Sequence, residues 1–306
     1  MTGLELSREY YVNCCRPMLE RELGSDARLI AAGLAGEGSE CFGYDDETSR
    51  DHDWGLRLYL WLPDGELEQL RKPVKDAFAR FPAEYRGYGT VQSASGRSGV
   101  FGVGEFYRML IGLPHAPETN AQWLSIPEPR LAAAVNGAVF YDAAGEFSTV
   151  RNALFAYYPE DVRLRRIAEC AALAAQTGQY NLTRCRLRGE DAAAGVIKGR
   201  FAEAAVQLAF LLKKRFRPFY KWSFRALREL PDIGCELCGL FDELFCWNDV
   251  QTENLAAERI SALLISEMRA QGITQSDGGF LMDHVAGILS HIHDPELAQR
   301  EISLVF

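Results

Sequence analysis

Asp51 and Asp53, two aspartates separated by one residue, are the side chains of this sequence best suited to hold metal ions. If the segment from Asp51 is a β-strand, both carboxylates lie on one face, with Cα atoms roughly 6.5 to 7 Å apart. Carboxylates at that spacing can share hard divalent cations, which prefer oxygen ligands. Two such ions can stabilise the attacking and leaving oxygens of a phosphoryl transfer. The pair therefore predicts metal-dependent transfer chemistry.

A glycine turn precedes the aspartates. Gly38 has no side chain, so its backbone can approach a ligand closely. Ser39 suits the start of a helical turn whose free N–H groups face an anion. Eleven residues separate Ser39 from Asp51. An apolar strand, a turn able to hold a phosphate, and a second strand with paired carboxylates together predict a site for nucleotidyl transfer.

Other readings of these residues remain open. An isolated Asp-x-Asp is also typical of a polar strand entry, and a Gly-Ser pair occurs in many loops. A metal-dependent hydrolase using Asp51, His52 and Asp53 together is a further alternative. Strand alternation turns His52 away from the carboxylates, so that alternative requires a bulge.

The elements around this site change in character along the chain. The first half predicts helices that alternate with short strands, and the second half contains long alanine- and leucine-rich stretches with helical spacing. We expect an α+β protein: an N-terminal mixed β-sheet flanked by helices over residues 1–148, followed by an α-helical bundle over residues 149–306. Helices are predicted at 5–23, 65–81, 105–113, 161–178, 190–216 and 252–272, and strands at 27–36 and 51–62.

Composition restricts the partners. The 306 residues carry a net charge of −9, so an extended surface for duplex nucleic acid is not evident, and a long nucleic acid is the least favoured partner. The N-terminus lacks the pattern of a secretory signal, and no apolar run is long enough to cross a membrane. The eight cysteines lack the spacing of a zinc site. We expect a cytoplasmic protein with no membrane partner.

The stretch GEGSECFGYDDETSRDHDWG resembles the nucleotidyltransferase superfamily typified by polymerase β and the kanamycin and lincosamide nucleotidyltransferases. The matching positions are Gly38, Ser39, Asp51 and Asp53. Together with RFRPFYKW, the stretch resembles an uncharacterised bacterial branch of that superfamily, known only as a domain of unknown function. The resemblance extends over residues 30–230. It implies a small mixed sheet flanked by helices, Mg²⁺ bound by Asp51 and Asp53, and a nucleoside triphosphate, with ATP favoured, as donor.

That superfamily usually adds a third carboxylate from a later strand. Glu105, which follows the predicted short strand VFGVG, is the best candidate for this position. Glu105 equally suits the first turn of the helix EFYRMLIGL, where a carboxylate favours the positive end of the helix dipole. The sequence is compatible with both interpretations of Glu105.

Lys221 is the leading candidate for a phosphate contact in the second half. It lies between Pro218-Phe219-Tyr220 and Trp222, so aromatic packing would hold its ammonium near a fixed position. A fixed ammonium can bind a triphosphate and offset charge on leaving pyrophosphate. Lys213 and Lys214 are interpreted as a solvated helix end, and Arg184, Arg186 and Arg200 as surface ion pairs or additional phosphate contacts. His291 and His293 are interpreted as a surface helix end rather than metal ligands.

The sequence thus predicts an enzyme that transfers a nucleoside monophosphate from a triphosphate to a hydroxyl acceptor. In this hypothesis Gly38, Ser39 and Lys221 bind the nucleotide, and Asp51 and Asp53 bind the metal. A small molecule or a protein side chain is favoured as acceptor over a long RNA. The alternative is a catalytically weak or inactive nucleotide-binding or regulatory protein with the same fold.

Overall fold

The structure, a computed structural model, describes residues 1–51, 54–90, 98–246 and 249–304, and for residues 50 and 51 the backbone alone. The chain divides into two compact units, Met1–Ala156 and Tyr157–Phe306. The sequence-based boundary near residue 148 falls inside a helix, Glu146–Phe155, and the division of the structure comes after that helix. The protein is of the α+β class, as predicted.

The first unit contains short strands and helices in alternation. Its strands are β1 Ala31–Leu34, β2 Tyr59–Leu62, β3 Glu84–Tyr85, β4 Tyr88–Gly89, β5 Gly99–Gly102 and β6 Ala138–Tyr141. Its helices are α1 Gly3–Tyr10, α2 Arg16–Leu23, α3 Ser39–Phe42, α4 Leu67–Phe78, α5 Val103–Ile111, α6 Asn120–Ser125, α7 Glu128–Val135 and α8 Glu146–Phe155. A π-helical segment, Tyr11–Cys15, joins α1 to α2, and 3₁₀ turns occupy Gly24–Leu29, Thr48–Asp51 and Asp64–Glu66.

The described residues form a mixed four-stranded sheet in the order β5-β2-β1-β6. β1 is antiparallel to both β2 and β6, with Gly33 opposite Tyr59 and Leu34 opposite Ala138. β2 is parallel to β5, with Tyr59 opposite Gly99. The C-terminal end of β1 and the N-terminal ends of β2 and β5 therefore lie at one end of the sheet, which we call the turn end.

The two faces of β2 pack against different partners. Leu60 and Leu62 are fully buried in a cluster with α1, α2 and α4, to which Leu6 and Val74 contribute. On the other face Trp61 stacks on Phe147 with ring centroids 3.7 Å apart, and Tyr59 contacts Phe106 edge to face at 5.0 Å. Alternation of side chains along the strand explains this division. The sheet is therefore fixed from both sides.

The second unit is helical over its described residues. It contains α9 Glu160–Ala174, α10 Thr183–Leu187, α11 Asp191–Leu212, α12 Tyr220–Arg228, α13 Gly234–Cys246, α14 Val250–Ala270, α15 Met282–Ser290 and α16 Pro295–Gln299, with a π-helical segment at Ala175–Leu182. α9 and α11 supply much of its core through alanine, leucine and phenylalanine side chains. The alanine-rich pattern that predicted these helices also allows their close approach.

Among the described residues, no helix combines the length and apolar character needed to span a bilayer.

Candidate functional site

The glycine turn predicted to hold a phosphate begins where β1 ends. Gly36 has a φ of +122°, a backbone conformation that favours glycine. The side chain of Asn136 fixes this residue at two points: Gly36 N donates to Asn136 Oδ1 at 2.9 Å, and Asn136 Nδ2 donates to Gly36 O at 2.6 Å. Asn136 thus satisfies the backbone N–H and C=O of Gly36, and holds the glycine turn beside the start of β6.

Gly38 and Ser39 form the start of a short helix, as predicted. Gly38 is the N-cap of α3 with extended backbone, and Cys41 N donates to Gly38 O at 3.0 Å. Ser39 is half-buried, and its hydroxyl makes no hydrogen bond to any residue within the described ranges. A Cβ added to Gly38 would lie 2.3 Å from Glu40 Oε1. Gly38 is therefore required by the space that Glu40 occupies.

A buried ion pair ties this turn to β2. Arg57 Nη1 donates to Glu40 Oε1 at 2.6 Å, and the side chains of Arg57 and Glu40 are only 4% and 8% exposed. Glu40 follows Ser39 directly, and Arg57 lies four residues after Asp53 in the sequence and two before β2. The pair was not predicted from the sequence. A signal was present, because Arg57 is the one charged residue in the apolar run from Leu56 to Leu62.

The predicted strand from Asp51 is wrong at its start. Thr48–Asp51 forms a 3₁₀ turn, and β2 begins only at Tyr59, so strand alternation does not describe Asp51. The reason is local: Asp46 Oδ1 accepts hydrogen bonds from Ser49 N at 3.0 Å and Ser49 Oγ at 3.1 Å, which initiates the turn. The Asp51 side chain, and His52 and Asp53 altogether, lie outside the described residues.

The acidic loop between the turn and Asp51 is held in place by hydrogen bonds to Asp45. Asp45 Oδ2 accepts hydrogen bonds from Gly3 N at 2.7 Å and Trp54 Nε1 at 3.0 Å. The loop is therefore anchored to the N-terminus of α1 and to the segment that leads into β2. Glu47, in contrast, is exposed.

Glu105 lies beyond the other end of the sheet. It follows the C-terminal end of β5, and the neighbouring backbone N–H of Gly104 bonds Asp64, two residues past the end of β2. Along β2 that end is on the order of 10 Å from the turn end, from three residues of strand rise. Glu105 accepts hydrogen bonds from Arg71 at 2.6 Å and from Gly102 N at 3.0 Å.

These contacts fit the second interpretation of Glu105, in which its carboxylate stabilises the first turn of α5. The hydrogen bonds from Arg71 and from the Gly102 backbone N–H lower the pKa of Glu105. Its position argues against the predicted role as a third carboxylate at the turn end. β5, which pairs with β2, offers no other carboxylate for this role, because the sequence from Val91 to Gly102 contains neither Asp nor Glu.

The basic residues of the second unit differ in their surroundings. Lys221 is exposed on α12, and its ammonium lies 5.4 Å from the ring centroid of Phe219 and 5.1 Å from that of Trp222. The predicted aromatic contacts are therefore present. Lys213 does not belong to a solvated face, because its side chain is 10% exposed and pairs with Asp232 and Glu267 at 3.1 Å each.

Arg186 belongs to a buried ion-pair cluster rather than to the surface. Its guanidinium bonds Glu253 at 2.6 Å, and Lys198 reaches the same Glu253 oxygen at 2.8 Å. His291 and His293 are exposed near the end of α15, as predicted. Within the described ranges, no group of three or more His, Cys, Asp or Glu side chains is arranged to hold a metal ion.

Comparison with known proteins gives one partial family match. The family described as a domain of unknown function, DUF4037, matches residues 123–223. The matched range contains Asn136 and Lys221, and it excludes Gly38, Ser39, Asp51 and Asp53. Because it covers about a third of the chain, it does not by itself establish membership in that family. No match was found among the curated proteins.

One solved structure similar to this chain is that of a nucleotidyltransferase-like protein from Exiguobacterium sibiricum 255-15. The sequences are 14% identical, the alignment covers 88% of this chain and 77% of that chain, and the TM-score is 0.38. A similarity at this level does not establish a shared fold or activity.

Proposed function

We propose that this protein is a nucleotidyltransferase that moves a nucleoside monophosphate from a triphosphate, with ATP as the favoured donor, to a hydroxyl acceptor. The observation that carries the proposal is the buried Glu40–Arg57 ion pair at the turn end of the sheet. It joins the residue after Ser39 to the segment that follows Asp53. Two parts of the resembling motif, separated by eleven residues in sequence, are thereby linked through one salt bridge.

In this proposal, different residues of the chain bind the triphosphate and the metal ion. The glycine turn, held by Asn136, would present backbone N–H groups to the triphosphate, and the Ser39 hydroxyl is available to donate to a phosphate oxygen. Asp51 and Asp53 would hold Mg²⁺, since a pair of carboxylates is a donor set that suits a hard cation. The bound ion would stabilise charge on the transferred phosphoryl group. Lys221 would contact the phosphates as a fixed ammonium.

The acceptor in this proposal is a small molecule or a protein side chain. The chain has a net charge of −9, and a long polyanion would be repelled unless a local basic surface met it. A small molecule or a protein side chain with one acceptor hydroxyl does not require such a basic surface.

Pyrophosphate release from ATP, in the presence of Mg²⁺ and a panel of hydroxyl acceptors, tests the proposal. Asp51→Asn and Asp53→Asn should each reduce the rate by about a thousandfold or more, because several kcal/mol of charge stabilisation depends on the ion. Glu47→Gln is the matched control, since it removes an exposed carboxylate from the same loop, and it should leave the rate unchanged. Equal rates in all three variants would contradict the assignment.

A nucleotide-binding protein without efficient turnover is the second candidate function. The observation that favours it is the surroundings of Glu105, which is bonded to Arg71 and caps α5 beyond the far end of the sheet. A site with two carboxylates and no third would bind metal and nucleotide with less catalytic power. Calorimetric binding of ATP and Mg²⁺ with no pyrophosphate release across the panel would select this candidate.

A further inference from the structure

A cavity of about 540 Å³ opens in the first unit, away from the glycine turn. It is enclosed by the π-helical segment, by α2, by the 3₁₀ turn at Gly24–Leu29 and by Tyr141 at the end of β6. Tyr141 pairs with Ala32 near the start of β1, whereas the glycine turn follows the end of β1. The cavity and the candidate nucleotide site therefore lie at opposite ends of that strand. Its volume lies within the range of small-molecule sites.

Tyr11 supplies the first indication of a ligand. It is 2% exposed and lines the cavity, with its ring 6.1 Å from that of Phe140. Its hydroxyl forms no hydrogen bond to any residue in the part of the chain described. The hydroxyl oxygen is not among the atoms fully enclosed by protein, so it meets the cavity. A phenol held in a core without a partner is costly unless water or a ligand satisfies it.

The π-helical segment explains the position of Tyr11. A π-turn inserts one extra residue into the helix and shifts the side chains around it, and such turns are frequent at functional sites. Burial raises the pKa of the Tyr11 hydroxyl, although the nearby Arg16 opposes the shift. The phenol therefore stays protonated at neutral pH and acts as a hydrogen-bond donor.

Two arginines give the cavity its charge. Arg16 bonds Glu20 at 2.9 Å, and its guanidinium lies 4.8 Å from the ring centroid of Tyr141. Arg28 is exposed at the rim, and its guanidinium has no ion pair with any side chain that the structure describes. Two cations and the single carboxylate of Glu20 leave the lining with a net charge of +1, in a chain whose net charge is −9.

We propose that this cavity is a binding site for a small anionic molecule carrying a phosphate or a carboxylate group. Arg28 binds the anionic group, and the Tyr11 hydroxyl donates a hydrogen bond to it from the cavity floor. Arg16 is oriented by Glu20 and by the ring of Tyr141, and adds charge at the wall. The site is independent of the proposed nucleotidyl transfer.

Saturation-transfer NMR with the full-length protein tests the site, using glycerol 3-phosphate, malonate and neutral glycerol as probes. We expect saturable binding of at least one anion and none of glycerol. Arg28→Gln and Tyr11→Phe should each weaken that binding roughly tenfold or more, because each removes a hydrogen bond to a charged group. Binding of glycerol 3-phosphate alone identifies a phosphate site, and binding of malonate alone identifies a carboxylate site.

Arg21→Gln is the matched control, since it removes an exposed arginine of α2 that does not line the cavity. It should leave the affinity within about twofold, below the loss expected for a charged hydrogen bond. Thermal unfolding of each variant verifies that the fold is kept, and Tyr11→Phe preserves the ring that packs on Phe140. Unchanged affinity in both cavity variants, or no saturable binding of either anion, would overturn the proposal.

Discussion

Replacement of Arg57 by methionine should destabilise the first unit strongly. The Arg57 and Glu40 side chains are 4% and 8% exposed, and their closest atoms are 2.6 Å apart. Removal of one partner leaves the other charge buried without compensation, at a cost of about 3–5 kcal/mol. For a unit of 156 residues, each kcal/mol corresponds to roughly 2–4 °C of unfolding temperature. The expected decrease is therefore on the order of 6–20 °C.

The double variant Glu40→Leu/Arg57→Met isolates the interaction. Because it removes both charges, most of the stability should return, and the two single substitutions should not be additive. Lys72→Met is the control: Lys72 and Asp76 are also only 2.7 Å apart, but their side chains are 86% and 52% exposed. An exposed pair of this kind contributes less than about 1 kcal/mol.

Calorimetry of the full chain measures the unfolding temperature, and hydrogen exchange of peptides from residues 30–62 locates the effect. Loss of protection in the glycine turn and at the start of β2 would show that the pair positions the site. If Arg57→Met lowers the unfolding temperature no more than Lys72→Met, the reasoning from burial is refuted. The same conclusion follows if the double variant is as unstable as the sum of the single variants.

Two further outcomes are expected. Gly38→Ala should lower the free energy of unfolding, measured by denaturant titration, by about 1–3 kcal/mol, because the added methyl group crowds Glu40. Gly65→Ala is the control and should have little effect, because a Cβ added at Gly65 would meet no atom within 4 Å. In the second unit, burial alone would raise the pKa of Glu253, but hydrogen bonds, chiefly from Arg186, hold it below its usual value. The stability that Glu253 contributes is therefore present above the ordinary glutamate pKa and is lost as the pH falls through the lower folded pKa. Glu253→Gln should flatten this acid-side loss in unfolding temperatures measured against pH, and an unchanged slope would contradict the assignment.

Local patterns in the sequence predicted much of the fold. The apolar run ending in glycines became β1, and the helix predicted at 65–81 contains α4, Leu67–Phe78. The glycine–serine pair correctly indicated a helical turn at Ser39. In each of these cases the information lies within a few consecutive residues, where hydrophobic periodicity and glycine conformation decide the outcome.

Two features were not predicted from the sequence, one of them local and one that joins residues distant in sequence. A strand was predicted from Asp51 to Leu62, but the hydrogen bond from Ser49 to Asp46 places Asp51 in a 3₁₀ turn, and β2 begins only at Tyr59. Glu40 and Arg57 are 17 positions apart, and the residues around each of them do not indicate that the two side chains form an ion pair. The catalytic assignment of Asp51 and Asp53 stays a prediction, carried by the motif.

The two hydrogen bonds between Gly36 and Asn136 connect residues that are 100 positions apart. During synthesis the chain emerges from its N-terminus, so β1 and the glycine turn are made long before the residue that holds them. A nascent chain that has not yet reached residue 136 lacks both hydrogen bonds, even if other parts of the sheet have already formed. The candidate nucleotide site can therefore take its final shape only late in the synthesis of the first unit. A ribosome-stalled series of increasing length would register that step as a single gain in protection at the turn.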